Sequence, residues 1–369
     1  MNAPAVVVRR APGKLFVAGE YAVVEAGSPA VLVAVDRYVT VTLTALPGPG
    51  VEISSDLGPA GSRWSWAGGT LVPAPGHGPQ EAGRLAHVRA AIETVAALLA
   101  EDGRALPGLR LEVTSALHEG GTKYGLGSSG AVTVAAVDAL CAAAGLDMDA
   151  EQRFKLALLA GAGIDPRASG GDLAASTWGG WVCYQAPDRA QVTALAARAG
   201  IAAALAAPWP GFTVRPLPAP AGVDLQVGWT GRPASSTALV AGLEARSWRG
   251  SPQHRRFMAA SSACVRALEA ALRAGDTHTV LQQVDAAGRE LALLDAQVGL
   301  GVFTPALRAL VARARAAGAA AKPSGAGGGD CGIALLPKDA ARSRSWLHRA
   351  WKRAGVLPLP LQPAAPAAR

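Results

Sequence analysis

Short apolar runs separated by turn-forming residues dominate the first fifty residues of the chain. The runs are rich in valine and tyrosine and occupy residues 5–9, 15–18, 31–35 and 38–43. Glycine and proline stand between them, at Pro12-Gly13 and at Gly27-Ser28-Pro29. Because β-branched and aromatic residues favour strands whereas glycine and proline favour turns, the pattern predicts an N-terminal sheet of short strands.

A stretch with little periodicity follows and leads into the first predicted helix. Residues 59–83 carry glycine, proline, Trp64 and Trp66, which predicts a long surface loop or a covering flap. Apolar residues then recur three and four positions apart from Leu85 to Leu99, the spacing of one helix face. A strand is predicted next, over residues 109–114.

Helix start and stop signals define most of the remaining elements. A helix is predicted from Ser128 to Ala144, and another after Asp149, whose spacing to Gln152 is that of a capping box. In the second half, the same signals predict helices over residues 257–274, 277–295, 304–318 and 339–354. Two strands, near residues 225–229 and 332–336, make this half an α+β unit.

The change in composition between the two halves predicts two domains. Five prolines between residues 208 and 220 follow an alanine-rich helical piece, as expected at a domain boundary. We predict an N-terminal domain over 1–190, a connecting segment over 191–222, a C-terminal α+β domain over 223–357 and a frayed Pro/Ala-rich tail over 358–369.

Composition excludes several classes of protein. Of the 369 residues, 50% are hydrophobic and 17% are charged, which is enough to bury a core and too apolar for a disordered chain. No uninterrupted apolar run reaches the roughly 18 residues of a membrane span, and the first residues do not resemble a signal peptide. We therefore expect a cytoplasmic protein with no membrane partner. The four cysteines lack CxxC spacing, which argues against a metal or disulfide framework.

The net charge of +8 comes from 29 arginines and only six lysines against 27 acidic residues. The basic residues form no block of like charge, so we expect no nucleic-acid partner. Lys14, Lys123 and Lys322 lie in or beside glycine-rich segments. A compact ammonium group retained in an arginine-rich chain indicates a phosphate nearby.

The segment Lys123-Tyr124-Gly125-Leu126-Gly127-Ser128-Ser129-Gly130 precedes an apolar helix. Glycines let backbone N–H groups converge on an anion, and the helix N-terminus adds partial positive charge, so the segment predicts polyphosphate binding. A plain helix cap with a tight turn is the alternative. The pattern also matches GxGxxG, but a polar stretch separates it from the preceding strand, which disfavours a dinucleotide-binding oxidoreductase.

Two further glycine-rich segments accompany this loop. Near the N-terminus, residues 11–21 place Lys14 beside Glu20 and Tyr21. Near the C-terminus, residues 322–331 hold four glycines in five positions ahead of a predicted strand. Such loops are entropically costly and favour close approach of a ligand, although either one could be an ordinary turn.

The three segments, in this order, resemble the motifs of the galactokinase, homoserine kinase, mevalonate kinase and phosphomevalonate kinase (GHMP) superfamily. A fourth segment, residues 169–180, is similar to the one that carries the catalytic aspartate in related kinases and places that role on Asp172. Three features most resemble the phosphomevalonate kinase branch. They are Lys123-Tyr124, residues 228–237 and the sequence of the glycine-rich segment over residues 322–331. Gly130 stands where much of the superfamily has alanine, a departure that we expect to be minor and compatible with the helix.

The resemblance implies an α+β fold of two domains, a GHMP-kinase-like fold with the active site in the inter-domain cleft. It implies ATP- and Mg²⁺-dependent phosphorylation of the small molecule (R)-5-phosphomevalonate to (R)-5-diphosphomevalonate in isoprenoid biosynthesis, by a monomer or a homodimer. Mevalonate kinase or another small-molecule kinase of the superfamily is the alternative. A metabolite-binding protein without catalysis is disfavoured by the presence of both Lys14 and Asp172.

The resemblance also assigns roles to residues. Lys14 is expected to stabilise the transferring phosphoryl group, and Asp172 to orient Lys14 or the acceptor. The ATP phosphates are expected at Gly125, Leu126, Gly127, Ser128, Ser129 and Gly130. Mg²⁺ is expected at Ser128 or Ser129. The candidates for binding the substrate are Tyr21, Lys123, Ser235, Ser236, Ser324, Gly325 and Ala326.

Overall fold

The computed structural model describes residues 6–56, 61–74, 83, 85–244, 246 and 248–367. The strands are β1 (Val6–Ala18), β2 (Pro29–Ala45), β3 (Val51–Ser55), β4 (Ser62–Ala67), β5 (Thr70–Pro73), β6 (Leu109–Ser115), β7 (His118–Glu119), β8 (Thr122–Lys123), β9 (Trp181–Gln185), β10 (Thr213–Leu217), β11 (Val223–Trp229), β12 (Ala320–Pro323), β13 (Cys331–Pro337) and β14 (Leu357–Leu359). The α-helices are α1 (Ala86–Glu101), α2 (Ser128–Ala143), α3 (Ala150–Ala162), α4 (Gly171–Trp178), α5 (Arg189–Ala199), α6 (Ile201–Ala206), α7 (Ser236–Glu244), α8 (Pro252–Ala274), α9 (Thr277–Val298), α10 (Pro305–Ala316) and α11 (Ala341–Arg353).

The N-terminal sheet has eight strands in the order β10-β9-β2-β6-β3-β4-β5, with β1 paired to β2. Its first two strands are long, which corrects the prediction of four short ones. Pro12-Gly13 does not turn the chain: it lies at a register shift within β1, and both halves of β1 stay paired with β2. Strand β2 is continuous because β1, β6 and β9 all pair along it.

The prediction of a surface loop or covering flap over residues 59–83 is also wrong where the structure describes this segment. Strands β4 and β5 form a hairpin on the edge of the large sheet. Trp64 is only 3% exposed and belongs to the hydrophobic core, so the alternation around it buries one face of a strand. Residues 75–82 of the predicted flap lie outside the described residues.

Helices α1 to α4 cover one side of this sheet. The apolar positions that predicted α1 are buried, including Val88, Ile92 and Val95. Helix α2 is rich in buried alanines and packs directly on β1 and β2. Strand β1 carries Lys14. The capping box of α3 is present, since Asp149 and Gln152 exchange hydrogen bonds. This packing fixes the loop before α2 against β1.

The C-terminal sheet has four strands in the order β12-β13-β11-β14, packed with helices α9 to α11, while α8 packs on α9 and on strand β2 of the N-terminal sheet. Helix α8 begins five residues earlier than predicted, because Ser251 caps it and Pro252 occupies its first turn. The segment 191–222, predicted as a connection, contains α6 and β10. Strand β10 pairs with β9 and extends the N-terminal sheet.

The tail predicted to be frayed is ordered as far as residue 367. After β14 pairs with β11, residues 361–367, here called the C-terminal strap, cross to the N-terminal domain. The N–H of Ala364 donates to the carbonyl of Ala34 at 2.9 Å, and the N–H of Ala367 donates to that of Trp178 at 2.8 Å. Proline lacks the donor but not the acceptor, so a Pro/Ala sequence still pairs at alternate positions. Within the described ranges, no helix has the length and hydrophobicity needed to cross a membrane.

Candidate active site

A cleft with a volume of about 460 Å³ lies between the two sheets and takes residues from both domains. The N-terminal domain contributes Lys14, Lys123 and Asp172 together with the loop before α2. The C-terminal domain contributes Ala234, Ala326 and Asp330. The segments singled out in the sequence therefore meet at one place.

The loop before α2 has the geometry of an anion-binding turn. Gly125 and Gly127 have φ angles of +80° and +76°, a left-handed conformation that favours glycine. Helix α2 begins at Ser128, so its first N–H groups end in the cleft without a partner inside the helix. The N–H of Lys14 donates to the carbonyl of Leu126 at 2.8 Å and ties the loop to β1.

Lys14 and Asp172 flank this loop. A Cβ atom built on Gly127 would lie 2.9 Å from Cε of Lys14 and 3.4 Å from Cβ of Asp172. A Cβ atom on Gly130 would lie 2.6 Å from both Cγ and Oδ2 of Asp172. The absence of a side chain at Gly130 thus makes room for Asp172, and the expectation that this departure from the family pattern is minor does not fit the packing.

Asp172 lies in the first turn of α4, and the N-cap residue of this helix, Gly170, is left-handed with a φ of +77°. The Oδ1 atom of Asp172 accepts a hydrogen bond from the N–H of Leu173 at 3.0 Å. Among the ion pairs of the described residues, none shorter than 4.0 Å joins Asp172 to Lys14. The second carboxylate oxygen is available to the cleft.

Four of the predicted substrate residues line the cleft. Lys123 is exposed on the two-residue strand β8, and Gly325 and Ala326 belong to the loop before β13. The hydroxyl of Tyr21 donates to the carbonyl of Ala326 at 2.6 Å, which links the two domains. Burial, the largest effect, raises the pKa of Tyr21, so its hydroxyl stays protonated.

The other predicted residues are placed differently. Ser324 is buried, and its hydroxyl accepts from the N–H of Phe16 at 2.8 Å and donates to the carbonyl of the same residue at 3.0 Å. Ser235 is exposed and caps α7 by accepting from the N–H of Ala238 at 3.2 Å. The side chain of Ser236 lies outside the described residues. The side chain of Leu126 is buried in the core, and its carbonyl accepts the hydrogen bond from the N–H of Lys14.

Lys322 does not face the cleft, contrary to the expectation from its glycine-rich surroundings. Its ammonium group is fully buried and forms an ion pair with Glu20, which is 3% exposed. It also donates to the carbonyl of Pro323 at 2.8 Å. Since a buried ammonium group needs such partners, this lysine joins β12 to the segment after β1 instead of binding a phosphate.

Several cleft residues were not predicted from the sequence, among them His87, Arg189 and Asp330. His87 lies on α1, and burial, the largest effect, lowers its pKa, which favours the neutral form. Arg189 lines the cleft with one guanidinium nitrogen, Nη1, buried and unpartnered. Asp330 lies within the glycine-rich segment of residues 322–331, where only the run of glycines was noticed. No local signal marked His87 or Arg189, because each sits on an ordinary helix.

Residues 87–180 match the family of GHMP kinases N terminal domains, and residues 267–346 match that of GHMP kinases C terminal domains. A phosphomevalonate kinase of Streptomyces sp. (strain CL190) is 57% identical, over 97% of each chain. A mevalonate kinase of Pyrococcus horikoshii is 30% identical, over 96% of this chain and 94% of that one. The solved structure of Streptococcus pneumoniae phosphomevalonate kinase in complex with phosphomevalonate and AMPPNP has a TM-score of 0.83 at 29% identity, covering 97% of this chain and 99% of that chain.

These matches extend over both domains and confirm the predicted fold class. With 57% identity to one family member over nearly the full length of both chains, this chain belongs to the GHMP kinase family.

Proposed function

We propose that this protein transfers the γ-phosphoryl group of ATP to the phosphate of (R)-5-phosphomevalonate and releases (R)-5-diphosphomevalonate and ADP. The observation that carries the proposal is the 57% identity to a phosphomevalonate kinase over 97% of each chain. The similar solved structure that holds phosphomevalonate and AMPPNP supports both the nucleotide and the acceptor. Both substrates are water-soluble anions, which supports action in the cytoplasm. The proposed oligomeric state is a monomer or a homodimer.

The cleft supplies what phosphoryl transfer needs. This chemistry depends mainly on positioning and on neutralising charge, not on covalent steps of the protein. We assign the N–H groups of residues 125–130 to the phosphates of ATP, where the start of α2 favours negative charge. Lys14 stabilises the transferring group, and Lys123 binds the phosphate of the acceptor.

The donors in the cleft fit Mg²⁺ bound mostly by the nucleotide. No group of three or more His, Cys, Asp or Glu residues in the described ranges could hold a metal on its own. Mg²⁺ usually keeps several waters and takes one or two carboxylates plus substrate phosphates. The hydroxyl of Ser128 or Ser129 would add a protein ligand, and the ion would neutralise phosphate charge.

The acceptor needs no strong base in this reaction. A phosphate monoester has its second pKa near ~6, so at neutral pH it is mostly a dianion and already nucleophilic. An alcohol acceptor, in contrast, must lose a proton during transfer. We therefore assign Asp172 a positioning role, in which it holds Lys14 and the acceptor in line.

Mevalonate kinase is the second candidate, because relatives with that name are 28–30% identical over most of this chain. An ADP-release assay with phosphomevalonate, mevalonate, diphosphomevalonate and homoserine separates the two. We expect a kcat/KM for phosphomevalonate at least ~100-fold above that for mevalonate, or about 2.7 kcal/mol in transition-state binding. Comparable values for these two substrates would contradict the proposal.

A further inference from the structure

Asp295 lies in the last turn of α9, and its carboxylate binds the backbone that follows the helix. Its Oδ1 atom accepts hydrogen bonds from the N–H of Gly301 at 2.7 Å and from that of Val302 at 3.0 Å. Its Oδ2 atom accepts from the N–H of Phe303 at 3.0 Å. One carboxylate thus fixes three consecutive residues, here called the 301–303 segment.

The helix itself gains nothing from a carboxylate at this position. The C-terminus of a helix carries partial negative charge, so an acidic side chain in the last turn is unfavourable for the helix. Hydrogen bonds from N–H groups to a charged carboxylate are roughly twice as strong as neutral ones and offset this cost. The contacts of Asp295 with the 301–303 segment therefore account for its presence.

The 301–303 segment supports residues 325–330, here called the C-terminal glycine loop. The carbonyl of Val302, a fully buried residue, accepts a hydrogen bond from the N–H of Gly328 at 2.9 Å. A Cβ atom built on Gly327 would lie 2.5 Å from the same carbonyl oxygen and 2.6 Å from Cγ1 of Val302. The two stretches of backbone are in direct contact, which is possible because residue 327 has no side chain.

The C-terminal glycine loop carries two of the residues that are expected to bind the acceptor. Gly325 and Ala326 line the cleft. Tyr21 holds Ala326 from the N-terminal domain, and Val302 holds the loop from the C-terminal domain. Four of the six residues of the loop are glycines, so its backbone has wide conformational freedom and its shape depends on such contacts.

We propose that Asp295 is a positioning residue for the acceptor. It is not among the described residues that line the cleft, so it acts through the 301–303 segment. By fixing that segment, it holds the C-terminal glycine loop where Gly325 and Ala326 meet the acceptor. This inference rests on the proposed function and adds to its site a residue that lies outside the cleft.

Loss of these bonds loosens the loop and removes no charge from the transition state. More conformations of the loop must then be ordered when phosphomevalonate binds, so the KM for this substrate should rise. The phosphates of ATP are assigned to the loop before α2, in the other domain, so the KM for ATP should change little. A role confined to stability would lower the melting temperature and leave both KM values unchanged.

The kinetic test compares Asp295→Ala with Asp295→Asn in the full chain. Alanine removes all three hydrogen bonds, whereas asparagine keeps one acceptor oxygen. We expect the KM for phosphomevalonate to rise at least ~10-fold in Asp295→Ala and by less in Asp295→Asn, with a change of less than ~3-fold in the KM for ATP. Asp276→Ala is the matched control, because it removes a carboxylate that accepts the N–H of Thr279 at the opposite end of the same helix. It should lower the melting temperature and leave both KM values unchanged.

Hydrogen exchange tests the route through the 301–303 segment. In Asp295→Asn, the amides of this segment and of the C-terminal glycine loop should exchange faster, whereas those of residues 125–130 should exchange as in the wild-type protein. Unchanged exchange in the loop, or equal rises in the KM for ATP and for phosphomevalonate, would overturn the inference.

The same measurements separate this inference from the proposed function. If the wild-type protein used mevalonate and not phosphomevalonate, the proposed function would fail, and hydrogen exchange would still decide whether Asp295 holds the loop. If it used phosphomevalonate and both Asp295 variants kept the wild-type KM for it, only this inference would fail.

Discussion

Single lysines occupy contrasting environments in this protein. Lys155 and Lys322 are buried, and their ammonium groups donate to backbone carbonyls and pair with Glu151 and Glu20, respectively. Lys14, which is 9% exposed, and the exposed Lys123 both line the cleft. Glycine-rich surroundings singled out Lys14, Lys123 and Lys322 alike, and the structure places only the first two in the cleft. Sequence spacing does not reveal which side of a strand faces a distant loop.

Removal of Lys14 and removal of Lys123 should change different kinetic constants. Lys14→Ala should lower kcat by about 10²- to 10³-fold, because an interaction made mainly in the transition state is lost. Lys123→Ala should raise the KM for phosphomevalonate at least ~10-fold with a smaller effect on kcat, because a ground-state phosphate contact is lost. Steady-state kinetics measure both, with the exposed Lys338→Ala as a control. An unchanged kcat in Lys14→Ala would contradict its assigned role.

Substitutions at Asp172 should separate positioning from proton abstraction. Asparagine keeps hydrogen-bonding capacity and size whereas alanine keeps neither, so Asp172→Asn should retain measurably more activity than Asp172→Ala. Because the acceptor is already a dianion, raising the pH should rescue neither variant. Rates measured from pH 6.5 to about 9 provide the check. Near-total loss in both variants, with recovery at high pH, would identify Asp172 as a proton acceptor.

At the scale of elements, local signals predicted helices more accurately than strands. The Asp149 capping box and the Thr304 cap define the starts of α3 and α10 as the structure has them. The bulge at Pro12-Gly13 and the β4–β5 hairpin were missed, because their conformation depends on pairing with distant strands. The glycine turn before α2 could be predicted, because its glycines, its serines and the helix that follows are contiguous in the sequence. We propose that the N-terminal domain extends through β10, which pairs within the large sheet.

The start of α2 offers a prediction at this scale. Gly130→Ala should favour the helix by propensity, by up to about 1 kcal/mol, yet its Cβ would collide with the carboxyl group of Asp172. We expect kcat to fall at least ~10-fold with little loss of thermal stability, because Asp172 must move. Gly242→Ala in α7 is the matched control, since the nearest atom is 3.4 Å away at the flexible end of Arg246. A normal kcat in Gly130→Ala would show that Asp172 tolerates the shift.

At the scale of the whole molecule, the two domains are joined by buried contacts around the cleft. The Glu20–Lys322 ion pair and the two hydrogen bonds of Ser324 connect β1 and its end to the third glycine-rich segment. Tyr124 meets Trp229 edge to face, with ring centroids 5.0 Å apart. The family resemblance predicted the cleft, but these contacts join residues between 105 and 308 positions apart and could not be deduced from local patterns.

The C-terminal strap should contribute measurably to this arrangement. A variant lacking residues 361–369 loses the buried side chain of Leu361 and the bonds to Ala34 and Trp178. We expect its free energy of unfolding to fall by about 3 kcal/mol or more and its kcat to decrease, because Trp178 ends the helix that carries Asp172. Denaturant titration and kinetics measure the two effects. Gln362→Ala, which keeps every backbone bond, serves as the control, and wild-type stability in the truncated variant would contradict the prediction.

The strap also bears on the order in which the protein is made and becomes active. Gln362 bonds to Asp36 from a position 326 residues later in the chain, so β2 emerges from the ribosome long before its last partner is synthesised. Domains generally fold as units during translation, N-terminal first. The helix that carries Asp172 therefore stays incompletely anchored until the final segment leaves the exit tunnel. We expect ribosome-bound chains that end before residue 361 to hold a folded N-terminal sheet and to lack full kinase activity.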